Sequence, residues 1–177
     1  TASDTSATAL GNGANASKDN SIAMGTNATA SDSYTVAIGN GANAGNTSAV
    51  AIGNGANVTG MTSIAIGNSA SALSGTSVVI GDGASSTVSL GTALGKGAKV
   101  SDQDSVALGA DSEATAHRST SINTMTIAGK SYTIAGGTAG GTVSIGSSTK
   151  KRTLTNLAAG TDLLHLQMQL MDLNYML

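Results

Sequence analysis

The sequence predicts an all-β solenoid: a roll of 14-residue coils ending in a short helix, and in need of partner chains. Three observations predict it. TVAIGNGANA at Thr35–Ala44 returns as AVAIGNGANV at Ala49–Val58, so that Gly39 is answered by Gly53. The glycine that closes each apolar triplet falls at Gly11, Gly25, Gly39, Gly53, Gly67, Gly81, Gly95 and Gly109, with no insertion across eight units. From Thr161 the period changes, and Leu163, Leu166, Leu170, Leu173 and Leu177 are spaced alternately three and four apart, a heptad seam. A fixed short period is the signature of stacked repeats.

Each unit holds two strands and two turns. The residue before the glycine is Leu, Ile or Met throughout, from Leu10 to Leu108. Two residues earlier stands a β-branched residue, from Thr8 to Val106, and between the two sits Ala in seven units and Val79 in the other. β-branched residues spaced by two share one face of a strand. The Gly-Asn-Gly that follows is turn chemistry, because Gly and Asn accept positive φ at low cost. A second short extended piece, such as Ala42–Ala44, leads into a polar turn. Coils of this kind stack about 4.8 Å apart, so eight make a rod of roughly 40 Å.

The two faces of the main strand differ. The bulky residues Val36, Ile38, Val50, Ile52, Ile64 and Ile66 are expected inside the coil as its core. Ala37, Ala51 and Ala65 are then expected on the outer face, a smooth stripe for contact with another chain.

Composition removes several function classes. The chain has 177 residues, no Phe, Trp, Cys or Pro, and three Tyr. A net charge of −2, with 10% of residues charged, leaves no basic footprint for nucleic acid and no stacking platform. Without Cys there is no disulfide framework and no thiolate metal site. No stretch reaches the length and hydropathy of a membrane-spanning helix, and no signal peptide opens the chain. The 40% apolar content is dominated by Ala, so a lone roll has too small a core to offset chain entropy, and association must supply the rest.

After Gly109 the regularity fails, since position 123 is Asn123. The segment TMTIAGKSYTIA, Thr124–Ala135, reads as a hairpin turning about Ala128–Ser131. Thr142–Gly146, TVSIG, restores one strand of the repeat type. The division is therefore 1–118 for the roll, 119–149 for an insertion and a last strand, 150–160 for a connecting segment and 161–177 for the helix. Beside the leucine seam runs a second stripe, Leu164, Met168, Met171 and Tyr175. A helix with two adjacent seams suits more than two strands, and about 16 residues are too few to be helical alone in water.

These residues resemble the head repeat of trimeric autotransporter adhesins, the YadA-like head of Gram-negative outer-membrane proteins. The 14-residue unit around V-A-I-G-N-G-A carries the likeness. KRTLTNLAAG at Lys151–Gly160 is similar to that family's neck, and Ser121–Ile134 to a head insertion placed before it. The resemblance spans residues 1–160 and implies a left-handed parallel β-roll, three of which form a homotrimer. It implies attachment to host extracellular matrix such as collagen or fibronectin, to host cells, or to other bacteria, at the outer-membrane surface. Family necks continue into a polar stretch; Thr161–Leu177 is Leu- and Met-rich instead, and reads as a stalk start or an appended trimerisation segment.

No catalytic constellation emerges. His117 and His165 lie far apart in the chain, on different expected elements. Asp19, Asp32, Asp82, Asp102, Asp104, Asp111 and Glu113 sit in or near turns without the spacing of calcium-binding rolls. The Gly-rich turns precede no helix, so they are not phosphate loops. Lys150, Lys151 and Arg152 are expected in inter-chain ion pairs, or at the helix end, where roll meets coil. The expectation is a non-enzymatic binding module with no cofactor. Two rivals use similar architecture. Hexapeptide-repeat acyltransferases have coils of three hexapeptides, whereas every interval between the repeat glycines here is the same and shorter than that. A phage or secreted fibre built on the same roll fits the residues as well.

Overall fold

The computed structural model of this chain describes residues 1–115, 124–127, 129–133 and 140–156. The coil is built as the repeat requires. Three-residue strands such as Val36–Ile38 alternate with two-residue strands such as Asn43–Ala44, eight of each from Thr8–Leu10 to Glu113–Ala114. The long strands, with Val143–Ser144 added last, form a nine-stranded sheet, and the short ones an eight-stranded sheet. Pairing in both is parallel and in register with the repeat: Val36 lies beside Val50, Ala37 beside Ala51, Ile38 beside Ile52. Parallel neighbours need a long connection, and here the other half of the coil provides it.

Hydrogen bonds run from coil to coil through the turns as well as the strands. Gly39 N–H donates to the Met24 carbonyl, Gly53 N–H to Ile38 and Gly67 N–H to Ile52, each at 2.8 Å. A thin rod exposes much of its backbone, and this continuous ladder satisfies it. The turn glycines make the close stacking possible. Gly39 has φ 136°, and a Cβ there would run into the carbonyl of Gly53 in the next coil.

The interior reverses the expected faces. Ala37, Ala51 and Ala65 are fully buried inside the roll, at 0% exposure. They cannot form an inter-chain stripe. Val36, Ile38, Val50, Ile52, Ile64 and Ile66 point outward and are half-buried, so they are not the core. Of the 22 buried apolar residues among the described residues, 19 are Ala and the others are Val58, Val79 and Val100. The reason is thickness. A coil that reverses direction twice within one repeat holds its two strands too close for branched side chains from both sides. Small residues fill the gap at four positions per coil, such as Ala37, Ala42, Ala44 and Ala49. Buried hydroxyls complete it: Ser63 Oγ donates to the Ser74 carbonyl at 2.9 Å and Ser77 Oγ to the Val88 carbonyl at 2.8 Å.

Past the eighth coil the chain departs from the roll and returns in register. Val106 pairs with Val143, where an unbroken repeat would have paired it with position 120. The added chain therefore enters at the turn that follows the short strand. Within it Thr124–Ile127 and Lys130–Thr133 form an antiparallel hairpin around Gly129. Among the described residues its two strands contact each other and no other strand. The expected helix at 161–177, with Leu163, Leu166, Leu170 and Leu173, lies outside the described residues.

Candidate binding surface

Outward side chains recur once per coil, so each occupies a column along the rod. Two columns on the nine-stranded sheet are aliphatic. Leu10 is 62% exposed, Leu94 43% and Val143 71%, with Met24, Val78, Ile80 and Leu108 between them. No other described element of the chain covers this face. It is an apolar face that runs along the nine-stranded sheet, and a contiguous exposed apolar face is the kind of surface found at interaction sites.

The eight-stranded sheet presents a polar column instead: Asn15, Thr29, Asn43, Asn57, Ser71, Ser85, Lys99 and Glu113. Its members bond along the rod, as where Asn43 Nδ2 donates to Asn57 Oδ1 at 2.8 Å. Lys99 sits in register with Glu113. The turn after the long strand carries a charged ladder. Asn68 Nδ2 donates to Asp82 at 2.9 Å, and Lys96 Nζ lies 3.3 Å from the same carboxylate. The Asn68 amide, then Lys96, hold Asp82 below the usual carboxylate pKa. Asp32 is lowered first by the Ser33 backbone N–H and next by the Thr47 hydroxyl.

The turn after the short strand is the least uniform part. Its second-last position takes positive φ in every complete coil, yet it holds Tyr34, Thr62, Thr76 and Leu90 as well as Asn20, Ser48 and Asp104. Tyr34, Met61, Leu73 and Leu90 are exposed along this edge. The insertion leaves from the same edge. Tyr34 and Leu90, at a repeat position otherwise held by Ser, Asn, Thr or Asp, were the signal that could have marked this edge in the sequence.

At the foot of the roll each member of the basic triplet has partners within its own chain. Lys150 pairs with Asp111 of its own chain, and the ammonium lowers that carboxyl's pKa. Lys151 Nζ donates to the Ser147 carbonyl at 3.0 Å. Arg152 donates to Ser112 Oγ at 3.1 Å and to the carbonyls of Ile145 and Ala110. The guanidinium thus caps carbonyls left open where the last coil ends. An open hollow of about 460 Å³ lies beside it, lined by Glu113, Val143, Ser148 and Lys150 among others. Among the described residues no three His, Cys, Asp or Glu side chains come together to hold a metal. His117 and His165 lie outside the described residues.

The family described as the YadA head domain repeat (2 copies) matches residues 16–42, 44–70, 90–112 and 103–122. The roll carries repeats of the YadA head kind. The collagen-binding domain of the Yersinia adhesin YadA, a solved structure, matches this head at a TM-score of 0.62 and 24% identity, over 94% of this chain and 98% of that one. At that identity the likeness establishes the fold, a parallel β-solenoid of about eight turns. No curated protein matches the head. Its family and its structural neighbour are of a non-enzymatic, adhesive kind.

Proposed function

We propose that the head works as a homotrimer that attaches, without catalysis, to an extracellular-matrix protein at the surface of a Gram-negative bacterium. One observation carries the assembly: an aliphatic face that continues across nine parallel strands while the roll's own core is built from alanine. Three rolls, left-handed as the family likeness implies, turn that face toward a common axis. Val36, Ile38, Val50, Ile52, Ile64 and Ile66 then form the inter-chain core, supported below by the neck and by the leucines of residues 161–177. The polar sheets face outward, each column repeating along the rod and around the axis. Single contacts on such a surface are weak, and several engaged together raise avidity by roughly 10²–10⁴. Collagen, which the neighbouring YadA domain is described as binding, is a repeating fibre and fits that geometry; fibronectin is the next to test. The experiment is a panel of immobilised collagen, fibronectin and laminin probed with the trimer and with a monomeric Ile52→Glu variant. The trimer is expected to bind a member of the panel and the monomer to bind it far less. Equal binding by the two would overturn the multivalent mechanism, and no binding to any member would overturn the matrix reading.

A further inference from the structure

The turns after the short strands change character along the rod. Those at 17–20, 31–34, 45–48 and 101–104 hold polar residues, Gly45 and Tyr34. The three between them, at 59–62, 73–76 and 87–90, carry Met61, Leu73 and Leu90, which are 55%, 44% and 49% exposed. These turns follow the fourth, fifth and sixth coils, so the apolar stretch covers two rungs, about 10 Å of rod. Leu90 stands at φ 60°, a position that Asn20 and Asp104 fill in other coils, so nothing local favours an aliphatic side chain there.

The insertion is rooted on this same edge. Its returning end passes Asp104: a Cβ on Gly141 would run into the Asp104 carbonyl, and Thr142 N–H donates to Ser105 Oγ at 2.8 Å. Asp104 and Leu90 hold the same repeat position in successive coils, so the root lies about 10 Å from Leu90 and about 20 Å from the turn of Met61. The hairpin can reach both. Residues 134–140 join it to Gly141 and residues 115–123 to Ala114, lengths that span up to about 20 and 30 Å. Its register pairs Met125 with Tyr132 and Ile127 with Lys130, which places these four residues on one face and Thr124, Thr126, Ser131 and Thr133 on the other. A two-stranded hairpin with nothing against its apolar face is marginal in water. We propose that the hairpin lies along this edge of its own roll, with the face of Met125, Ile127 and Tyr132 on Met61, Leu73 and Leu90 and the tip at Gly129 toward the fourth coil. Four-residue strands are about 13 Å long, close to the length of the apolar stretch. The insertion then braces the middle of the rod; it is not a separate arm projecting from it.

The chain has no Cys, so an introduced pair is unambiguous. Met61→Cys is combined with Lys130→Cys, and Asn54→Cys, on the opposite turn of the same coil, with Lys130→Cys as the control. All three positions are exposed. Each double variant is treated with a short bismaleimide and read by denaturing gel and peptide mass spectrometry. The first pair is expected to link within one chain, with roughly tenfold more product than the control because docking raises the effective concentration. Equal linking by the two pairs, or a first-pair product at twice the chain mass, would overturn the proposal. Hydrogen exchange gives an independent reading. In a Leu73→Ser, Leu90→Asn variant the hairpin amides are expected to exchange roughly tenfold faster while those of the roll are unchanged. Hairpin exchange that matches the parent chain would also overturn the docking.

Discussion

Thr62 and Thr76 stand at φ 53° and 56°, a region that β-branched residues rarely enter. Ser48 in the coil before them, and Asn20 and Asp104 further along the rod, fill the same position with side chains that tolerate it. Thr76→Asn should therefore stabilise the roll by about 1 kcal/mol, read as a higher urea midpoint at unchanged slope. The interior makes the opposite demand. Ala51 is enclosed, and Ala51→Leu should cost roughly 1–3 kcal/mol through overpacking. Ile52→Glu, one residue away and facing outward, should leave the coil folded, with an unchanged circular dichroism spectrum, while light scattering shows the assembly lost. This pair also shows what the sequence conceals. The alternation of Val36, Ala37 and Ile38 sets which residues share a face, yet an alternation has no sign, and size suggested the wrong one. Inside and outside are decided by the space between the sheets, a property of the closed coil that no single strand contains.

At the scale of an element, the repeat was legible from the glycines alone, and strand and turn positions followed from Thr35–Gly39 and the Gly-Asn-Gly after it. The columns were less legible, because residues one repeat apart become neighbours only once coils stack. Asn68, Asp82 and Lys96 read as three separate turn residues and are one ladder. The acid response follows from such carboxylates. Asp32, Asp82 and Asp111 have folded-state pKa values below the usual 3.8, so each binds its proton more weakly in the folded chain than in the unfolded one. Their contribution is complete above the usual value and is lost as pH falls through the folded one. All three are solvent-exposed, so the effect is small and screened by salt. Thermal scans at falling pH should show stability declining below the usual carboxylate value, and less steeply for Asp82→Asn. An unchanged slope in that variant would remove Asp82 from the account. At the foot of the roll Lys150 pairs with Asp111 of its own coil stack, a contact between residues far apart in the chain that the sequence does not reveal.

For the whole molecule, the decisive property is that the roll alone has too little apolar interior, with 19 of its 22 buried apolar residues alanine. Light scattering at micromolar concentration should give three chain masses; a single chain mass would remove the assembly on which the functional reading rests. Matrix binding by that assembly should change little with added salt, since 10% of residues are charged and screening acts on charge. The register between Val106 and Val143 has a consequence of another kind. A long digression leaves the sheet uninterrupted, so what the fold conserves is the phase of the coil, not the number of residues between coils. Near-identical units such as Thr35–Ala44 and Ala49–Val58 can misalign during DNA recombination by one whole unit. Each such event adds or removes one coil, keeps every alanine facing inward, and changes the height of the rod by about 4.8 Å. Loss of one residue within a strand instead inverts every face beyond it. Length in this architecture is therefore inherited in discrete steps, and a lineage can adjust how far its binding surface stands from its base without redesigning the coil.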